Sequence, residues 1–399
     1  MSDTSRIPGR RFLHSPGPTH LPDEVLDAMH RQPMDLADPR VADTIAACES
    51  GLRRLLGTGQ GEVFMYASNG HGAWEVVIEN LLPIGGAVLI PGTGHFADSW
   101  ALQCEALGRR TVRTPWHEGR PIDPAEVEAV LRADTAHDIR AVFAVHTDTA
   151  SSVTSDIDAL RRAIDAAGHP ALFVVDAVAT LGALPLAMDA QRIDVIVGAS
   201  QKGLMLPPGL GFVAVGPAAR ELSAANPAPR FYWDWTRRVG EQPYRKFCGT
   251  PPLNLMMGLQ AGLELLFREG IEAVHRRHRV LAGAVHAAVA AWSREGALDF
   301  FCTDAAARSV SVTAIRVRDG IDPEAIRRLA RERFQVAVAG GLGPLAGRVF
   351  RIGHLGDLNA AMVLGALGGV EAALLSLGVP FGRDGVQQAV AWLAREAAD

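Results

Sequence analysis

The sequence predicts an α/β chain: a large domain built on a mostly parallel sheet, followed by a smaller α+β C-terminal domain. Three observations carry that expectation. From about residue 21, short continuous apolar runs alternate with longer stretches of helical spacing, as strands covered by helices on both faces require. Beyond Thr250-Pro251-Pro252 the pattern changes to two long helical stretches, then to a mixture of short strands and helices. The chain's 399 residues, 48% apolar and 21% charged, suffice for two cores and exclude wholesale disorder. The expected division is an N-terminal arm over 1–20, a large domain over 21–270 and a small domain over 271–399.

Taken in order, the first twenty residues are rich in Pro and Gly and read as an arm rather than a strand or helix. Strands are expected at GEVFMYAS (61–68), GAVLIPG (86–92), IRAVFAVHT (139–147), ALFVVDAVA (171–179), IDVIVGAS (193–200) and GFVAVG (211–216). Helices such as AWEVVIENLL (73–82) and DIDALRRAIDAAG (156–168) lie between them. In such sheets ligands bind beyond the carboxyl ends of the strands, so the residues just after each run matter most. Long helices follow over about 253–270 and 271–295. Then come a strand at SVSVTAIRV (309–317), a helix near DPEAIRRLARERF (322–334), strands at VAVAG (336–340) and RVFRIG (348–353), and a terminal helical pair. The most apolar window, 360–379, is broken by Glu371 and by Gly365, Gly368 and Gly369, so it reads as a packed helix and not a membrane span.

Composition removes several function classes. Lys plus Arg number 39 against 44 acidic residues, a net charge of −5, without the basic excess that a nucleic-acid or anionic-membrane surface needs. Cysteines at 48, 104, 248 and 302 form neither a disulfide framework nor a Cys-x-x-Cys site. The opening residues hold no apolar run, so no signal peptide is expected and the chain is read as cytoplasmic.

The most informative stretch runs from Asp176 to Gly209. Asp176 ends the run ALFVVD and Lys202 follows the run IDVIVGASQ, so a carboxylate and an amine at two strand ends can face one cleft. A lysine there can form a Schiff base with a carbonyl, and a buried Asp can hold a protonated pyridine nitrogen. The competing reading is a solvated surface pair. A second site is Ser68-Asn69-Gly70-His71-Gly72, between a strand and a helix. Backbone N–H groups at such a helix N-terminus suit a phosphate, with Ser, Asn and His adding donors; the alternative is an ordinary capped Asn-Gly turn.

With these two sites on the page, a resemblance is plain. Pro16-Gly17-Pro18-Thr19, the Ser68–Gly72 turn, His146-Thr-Asp-Thr149, Val175-Asp176-Ala-Val-Ala179, Gly198-Ala-Ser-Gln-Lys202, Pro207-Pro-Gly209, Gly340-Gly-Leu-Gly343 and Phe350-Arg-Ile-Gly353 occur in one order from about residue 13 to 370. The ordered set resembles the class V, fold-type I pyridoxal-phosphate aminotransferases, and within them the serine/alanine/aspartate–glyoxylate group. The resemblance implies pyridoxal 5'-phosphate, an amino-acid donor, a keto-acid acceptor such as glyoxylate, and a homodimer with shared active sites. It makes Lys202 the Schiff-base lysine and proton shuttle, and Asp176 the partner of the cofactor's ring nitrogen. It makes Asn69, Gly70, His71 and Gln201 phosphate binders, Phe96 the ring-stacking aromatic, and Thr149 and Ser151 neighbours of the phenolic oxygen. Gly17 and Arg351 fall on the substrate, Arg351 gripping its α-carboxylate through a two-pronged guanidinium fork. Thr250 matches a residue that reaches the phosphate from the neighbouring subunit.

Departures from the family pattern concern the donor and the phosphate. His20 stands where Asn is usual, Ala150 where Ser is frequent, and Phe247 where a Tyr hydroxyl commonly meets the phosphate. Asp35-Leu-Ala-Asp-Pro39 lacks a His-Arg pair that many serine– and aspartate–glyoxylate relatives carry.

Competing motifs are weaker. Gly92-Thr-Gly94-His-Phe-Ala97 mimics a dinucleotide fingerprint but lacks the acidic residue at the end of a following strand. Gly198-Ala-Ser200-Gln-Lys202 fails the hydrolase elbow at its last position. His275 and His278 read as a solvated basic face rather than a metal site, and no metal is expected. His146 is open between a structural histidine and a substrate contact. The aromatic cluster Phe231–Trp235 reads as core or interface packing, not a nucleic-acid stacking surface. The residues of the ordered set together point to a transaminase. Its rivals are a lyase of the cysteine desulfurase type, which needs Cys302 as nucleophile, and a non-catalytic binding protein of the same fold.

Overall fold

The computed structural model describes residues 9–398, so the part of the expected arm over 1–8, and the reading of its first residues, fall outside the described residues. The chain opens with β1 (Phe12–His14), α1 (Asp23–Met29) and α2 (Pro39–Leu55). It continues through β2 (Glu62–Ser68), α3 (Gly70–Leu81), β3 (Ala87–Ile90), α4 (His95–Ala106), β4 (Arg110–Arg113), α5 (Pro124–Ala133) and β5 (Ile139–Val145). A small ribbon of β6 (Thr147–Asp148) and β7 (Val153–Thr154) precedes α6 (Ile157–Ala167), β8 (Leu172–Asp176), β9 (Val195–Ala199), β10 (Gly209–Val215), α7 (Pro217–Ala225) and α8 (Pro243–Phe247). The remainder holds α9 (Leu253–Glu269), α10 (Ile271–Trp292), β11 (Leu298–Phe300), β12 (Val312–Val317), α11 (Pro323–Arg333), β13 (Val336–Gly340), β14 (Val349–Gly353), α12 (Ala360–Ser376) and α13 (Gly385–Glu396).

Seven strands form one sheet in the order β2-β10-β9-β8-β5-β3-β4. Strands β3, β4, β5, β8 and β9 pair in parallel, whereas β10 is antiparallel to both its neighbours. The segment 200–208 between β9 and β10 explains the exception: it is too short for the crossover that a parallel pair requires, so the chain turns straight back. That turn contains Lys202. The continuous apolar runs follow from burial on both faces. In β5, Val142 and Ala144 face one core with Ile45 and Leu52 of α2 and Leu160 of α6. Ala141, Phe143 and Val145 face the other, with Trp74 and Val77 of α3 and Trp100 of α4.

A second, five-stranded sheet runs β1-β13-β14-β12-β11, with α10, α12 and α13 packed over a core that includes Val285, Ile315, Phe350 and Leu367. Here the expected arm is corrected: Phe12–His14 is a strand, pairing in parallel with Val336–Val338. His14 is buried and its Nδ1 lies 2.9 Å from the Gly353 carbonyl. Three residues between Pro/Gly-rich flanks carry too little alternation to read as a strand.

The expected basic face on α10 is also corrected. His275 and His278 are buried, because they lie on the same side of the helix as Val274, Leu281 and Val285. The Nδ1 of His278 sits 2.8 Å from the Val274 carbonyl, and its Nε2 accepts from the Gly356 N–H at 3.1 Å. His286 and His354 complete the cluster, their rings 6.0 Å apart. Burial pushes His278 down to about 3 and His286 to about 4, and pushes His354 well below its ordinary value. Between those values and 6.5 the unfolded chain binds protons that these histidines refuse, so their contribution to stability rises with pH across that window. Melting temperature should therefore hold above pH 6.5 and drop as pH falls toward 4. A flat profile from pH 7.5 to 5 would contradict this account.

Candidate active site

Strands β5, β8 and β9 end on one edge of the seven-stranded sheet, and a cavity of about 240 Å³ opens there. Asp176 is the last residue of β8 and lines it. One carboxylate oxygen accepts from the Val178 N–H at 2.7 Å. Burial pushes this carboxyl up to about 7, and the nearby Asp148 adds to the rise.

Lys202 reaches the same cavity from the β9–β10 turn. The turn is fixed by Ser200, whose hydroxyl donates to the Pro207 carbonyl at 2.7 Å and accepts from the Leu210 N–H. Burial pulls the Lys202 amine down to about 8, helped by the positive Arg351 and opposed by Asp176. Its Nζ donates to the Pro16 carbonyl, and the Thr19 hydroxyl donates to the Lys202 carbonyl at 3.1 Å. Gly17 lies across this contact with φ +138°; a Cβ there would stand 2.5 Å from the lysine's Cδ and Nζ. Only glycine lets the strap pass so close.

The start of α3 also lines the cavity. Asn69 caps the helix, its Oδ1 accepting from the Gly72 N–H at 3.2 Å and its carbonyl from the Ala73 N–H. That leaves the N–H groups of Gly70 and His71 as the outward donors of the first turn. Gly70 packs so closely on Val178 that an added Cβ would sit 3.3 Å from it. Gln201 adds a buried Oε1 that has no hydrogen-bond partner among the described residues. Phe96 and Trp74 form an aromatic wall, edge to face at 6.3 Å, with Trp74 stacked on Trp100 behind it.

The sequence-derived residues thus fall into two groups. Gly17, Asn69, Gly70, His71, Phe96, Thr149, Asp176, Gln201 and Lys202 line one cavity. Ser151 is buried behind it, its hydroxyl donating to the carbonyls of Thr93 and Asp148. Arg351 is buried beside it, with Nε donating to the Gly340 carbonyl and Nη1 to the Thr149 carbonyl, both at 2.7 Å. Burial pulls its guanidinium down to about 10. Thr250 is exposed in a separate surface groove, next to Leu36, while Phe247 turns into its own chain's core. Sequence reading missed Trp74, Thr147, Val178 and Ala179 as lining residues; Trp74 was visible as the first large side chain after the Ser68–Gly72 turn.

Other candidates are assigned by their surroundings. Cys302 is 1% exposed, its thiol donating to the Asp304 carbonyl at 3.2 Å, and burial pushes it up to about 11. Such a thiol is not a poised nucleophile. His146 is buried and held neutral, pulled down to about 4. Trp235 stacks on Phe64 in the core, whereas Phe231 and Tyr232 at the other end of the aromatic cluster are exposed. No group of three or more His, Cys, Asp or Glu among the described residues is placed to hold a metal, and no helix among them is long and apolar enough to cross a membrane.

A lysine, a carboxylate, a helix N-terminus and an aromatic wall thus line one cavity. Known proteins resemble this chain over nearly its whole length. The pattern of the class-V aminotransferases matches residues 11–346. The serine–glyoxylate aminotransferase of Methylorubrum extorquens is 40% identical over 380 residues, 94% of this chain and 94% of its own. The L-aspartate–glyoxylate aminotransferase of Paracoccus denitrificans is 40% identical over 367 residues, covering 92% and 91%. Among solved structures, ureidoglycine–glyoxylate aminotransferase from Bacillus subtilis superposes with a TM-score of 0.88 at 26% identity, over 98% of this chain and 100% of that one. This chain belongs to the class-V aminotransferases. It is a transaminase, built on the α/β fold of that family.

Proposed function

We propose that the enzyme moves an amino group from a small amino acid, serine or alanine before aspartate, to glyoxylate, with pyridoxal 5'-phosphate held in the cavity between α3 and Lys202. The observation that carries this reading is a half-buried amine and a buried carboxylate lining one cavity. The residues fit the cofactor part by part. Asp176 is a carboxyl whose burial a cationic ring N–H would offset. The Gly70 and His71 N–H groups suit a phosphate, and Gln201, whose Nε2 can donate to one, also lines the cavity. Phe96 and Trp74 offer flat apolar surface to a ring. When bound, the cofactor supplies an electron sink that acidifies the α-proton of an amino acid.

The chain's own groups do the rest. An amine near 8 has a substantial neutral fraction at neutral pH, so Lys202 Nζ can accept the α-proton and return it. Asp176 holds positive charge at the far end of the ring by staying ionised beside it. Arg351, fixed on two carbonyls, keeps one edge of its guanidinium for the substrate carboxylate. Thr250 and Leu36 share a groove outside their own chain's cavity, which supports a homodimer in which each copy completes the other's site.

The two 40% relatives carry different donors in their names, so identity does not choose between them. Two nearby cations support serine and alanine. Arg40 is engaged by Asp38, and Arg230 by the carbonyls of Ser223 and Asn226 and by Asp234. Both already have carboxylate partners, Arg230 in a part-buried network and Arg40 in an exposed pair. A panel of amino acids against glyoxylate and pyruvate should give higher kcat/KM for serine and alanine than for aspartate, with glyoxylate the better acceptor. Aspartate ranking first would overturn the donor assignment.

A further inference from the structure

We propose that Asp148 is a positioning residue that aligns both the ring-facing Phe96 and the carboxylate-facing Arg351; this rests on the function proposed above. Asp148 is fully buried and none of the chemistry above uses it. Helix α4 begins at His95 after Gly94, which has no side chain to cap it. The cap comes instead from 52 residues downstream: Asp148 Oδ2 accepts from the Phe96 N–H at 2.9 Å and from the Thr93 hydroxyl at 3.1 Å. Gly94 makes room for it, since a Cβ there would sit 3.3 Å from that oxygen at φ +129°. The other oxygen, Oδ1, accepts from the Ala150 N–H at 2.9 Å.

A single carboxylate therefore ties the start of α4 to the 147–150 loop. Phe96 lines the cavity from the first segment, and Thr149 lines it from the second. The Thr149 carbonyl in turn receives Arg351 Nη1. The aromatic wall and the guanidinium fork are thus referenced to one anchor, although they come from opposite ends of the chain. An amide at this position could not do the same. Its NH₂ would face the Phe96 or Ala150 N–H, donor against donor, and one segment would have to move.

Charge alone predicts the opposite outcome, which makes the proposal decidable. The negative Asp148 makes it harder for Asp176 to ionise and supports the positive Arg351. If Asp148 acted only through space, neutralising it would ease ionisation of Asp176 and strengthen the pull of Arg351 on an added carboxylate. As a positioning residue, its loss should misplace both groups and weaken both contacts.

The test uses the holoenzyme and glycolate, a carboxylate that resembles glyoxylate but has no carbonyl to react. Binding is read from the perturbed cofactor absorbance, and the geometry of the ring from visible circular dichroism. Asp148→Asn should weaken glycolate binding about tenfold, the loss of one hydrogen bond to a charged group. It should also reduce the visible dichroism and raise KM for both substrates more than it lowers kcat. Thr93→Val, which keeps the carboxylate and removes a single donor, should shift glycolate binding the same way by a smaller factor, and serves if the first variant does not fold. Tighter glycolate binding with unchanged dichroism in either variant would overturn the proposal, as would wild-type values throughout. A wild-type protein that shows neither cofactor absorbance nor glycolate binding would overturn the proposed function itself, and Asp148's role with it.

Discussion

Lys202→Ala should lower turnover by about 10³-fold or more, because it removes both a covalent anchor and a general base. The result is easy to attribute, since the sequence holds two lysines, Lys202 and Lys246. Lys246 is spent on an ion pair with Glu49 at 2.6 Å, in a groove lined by α2, β2 and α8 away from the cavity. Borohydride reduction of the yellow holoenzyme should therefore label one peptide, the one carrying Lys202. A label on Lys246, or a Lys202→Ala variant with near-normal turnover, would show that the cavity described here is not where chemistry occurs. The variant should fold normally, because the lysine's structural contact is a single hydrogen bond to the Pro16 carbonyl.

Asp176→Asn should separate activity from stability in opposite directions. Turnover should fall by about 10²-fold or more, since an amide cannot hold positive charge on the ring. Stability without cofactor should rise at alkaline pH. The sign follows from the carboxyl's position at about 7 in the folded chain against 3.8 as its ordinary value. Across that window the folded chain keeps a proton on Asp176 that the unfolded chain releases, so this carboxyl's contribution weakens folding as pH rises. Asparagine has no such dependence, and the cofactor-free variant should melt above wild type at pH 8. Equal melting temperatures there would mean that Asp176 is paired or solvated in a way this geometry does not contain.

The parts of the molecule legible in the sequence are those where chemistry and periodicity coincide. Strands β8, β9 and β10 and the centres of β2 and β5 are buried on both faces, so their apolar runs are long, and Asp176 and Lys202 stand out by ending or following them. Strands β1 and β4 were not legible: one has three residues, and the other, Arg-Thr-Val-Arg, is a half-exposed edge. The buried histidines of α10 were misread because VHRRHR looks basic in linear order, while its histidines and arginines point to different sides. Asp148 shows the limit most clearly. It sits inside a quoted motif, His146-Thr-Asp-Thr149, yet its partners lie at Thr93 and Phe96, and no local pattern connects them. Arg351 was found by resemblance; the two carbonyls that aim it come from Gly340 and Thr149, and a backbone acceptor leaves no mark in a sequence.

The strap over residues 12–19 also sets when in the life of the chain the site becomes complete. Its strand waits for β13, and His14 bonds a carbonyl 339 residues away. During synthesis, the seven-stranded sheet can assemble once β10 has emerged, with Asp176 and Lys202 already at its edge. The Pro16 carbonyl and Arg351 arrive much later, together, because both belong to the five-stranded sheet or are carried by it. Closing so long a loop costs only slightly more than closing a short one, since the entropy grows with the logarithm of length. What delays it is that no partner exists until β13 has been made. A growing or truncated chain can thus shelter an amine without a grip for amino acids, and competence is conferred by the five-stranded sheet.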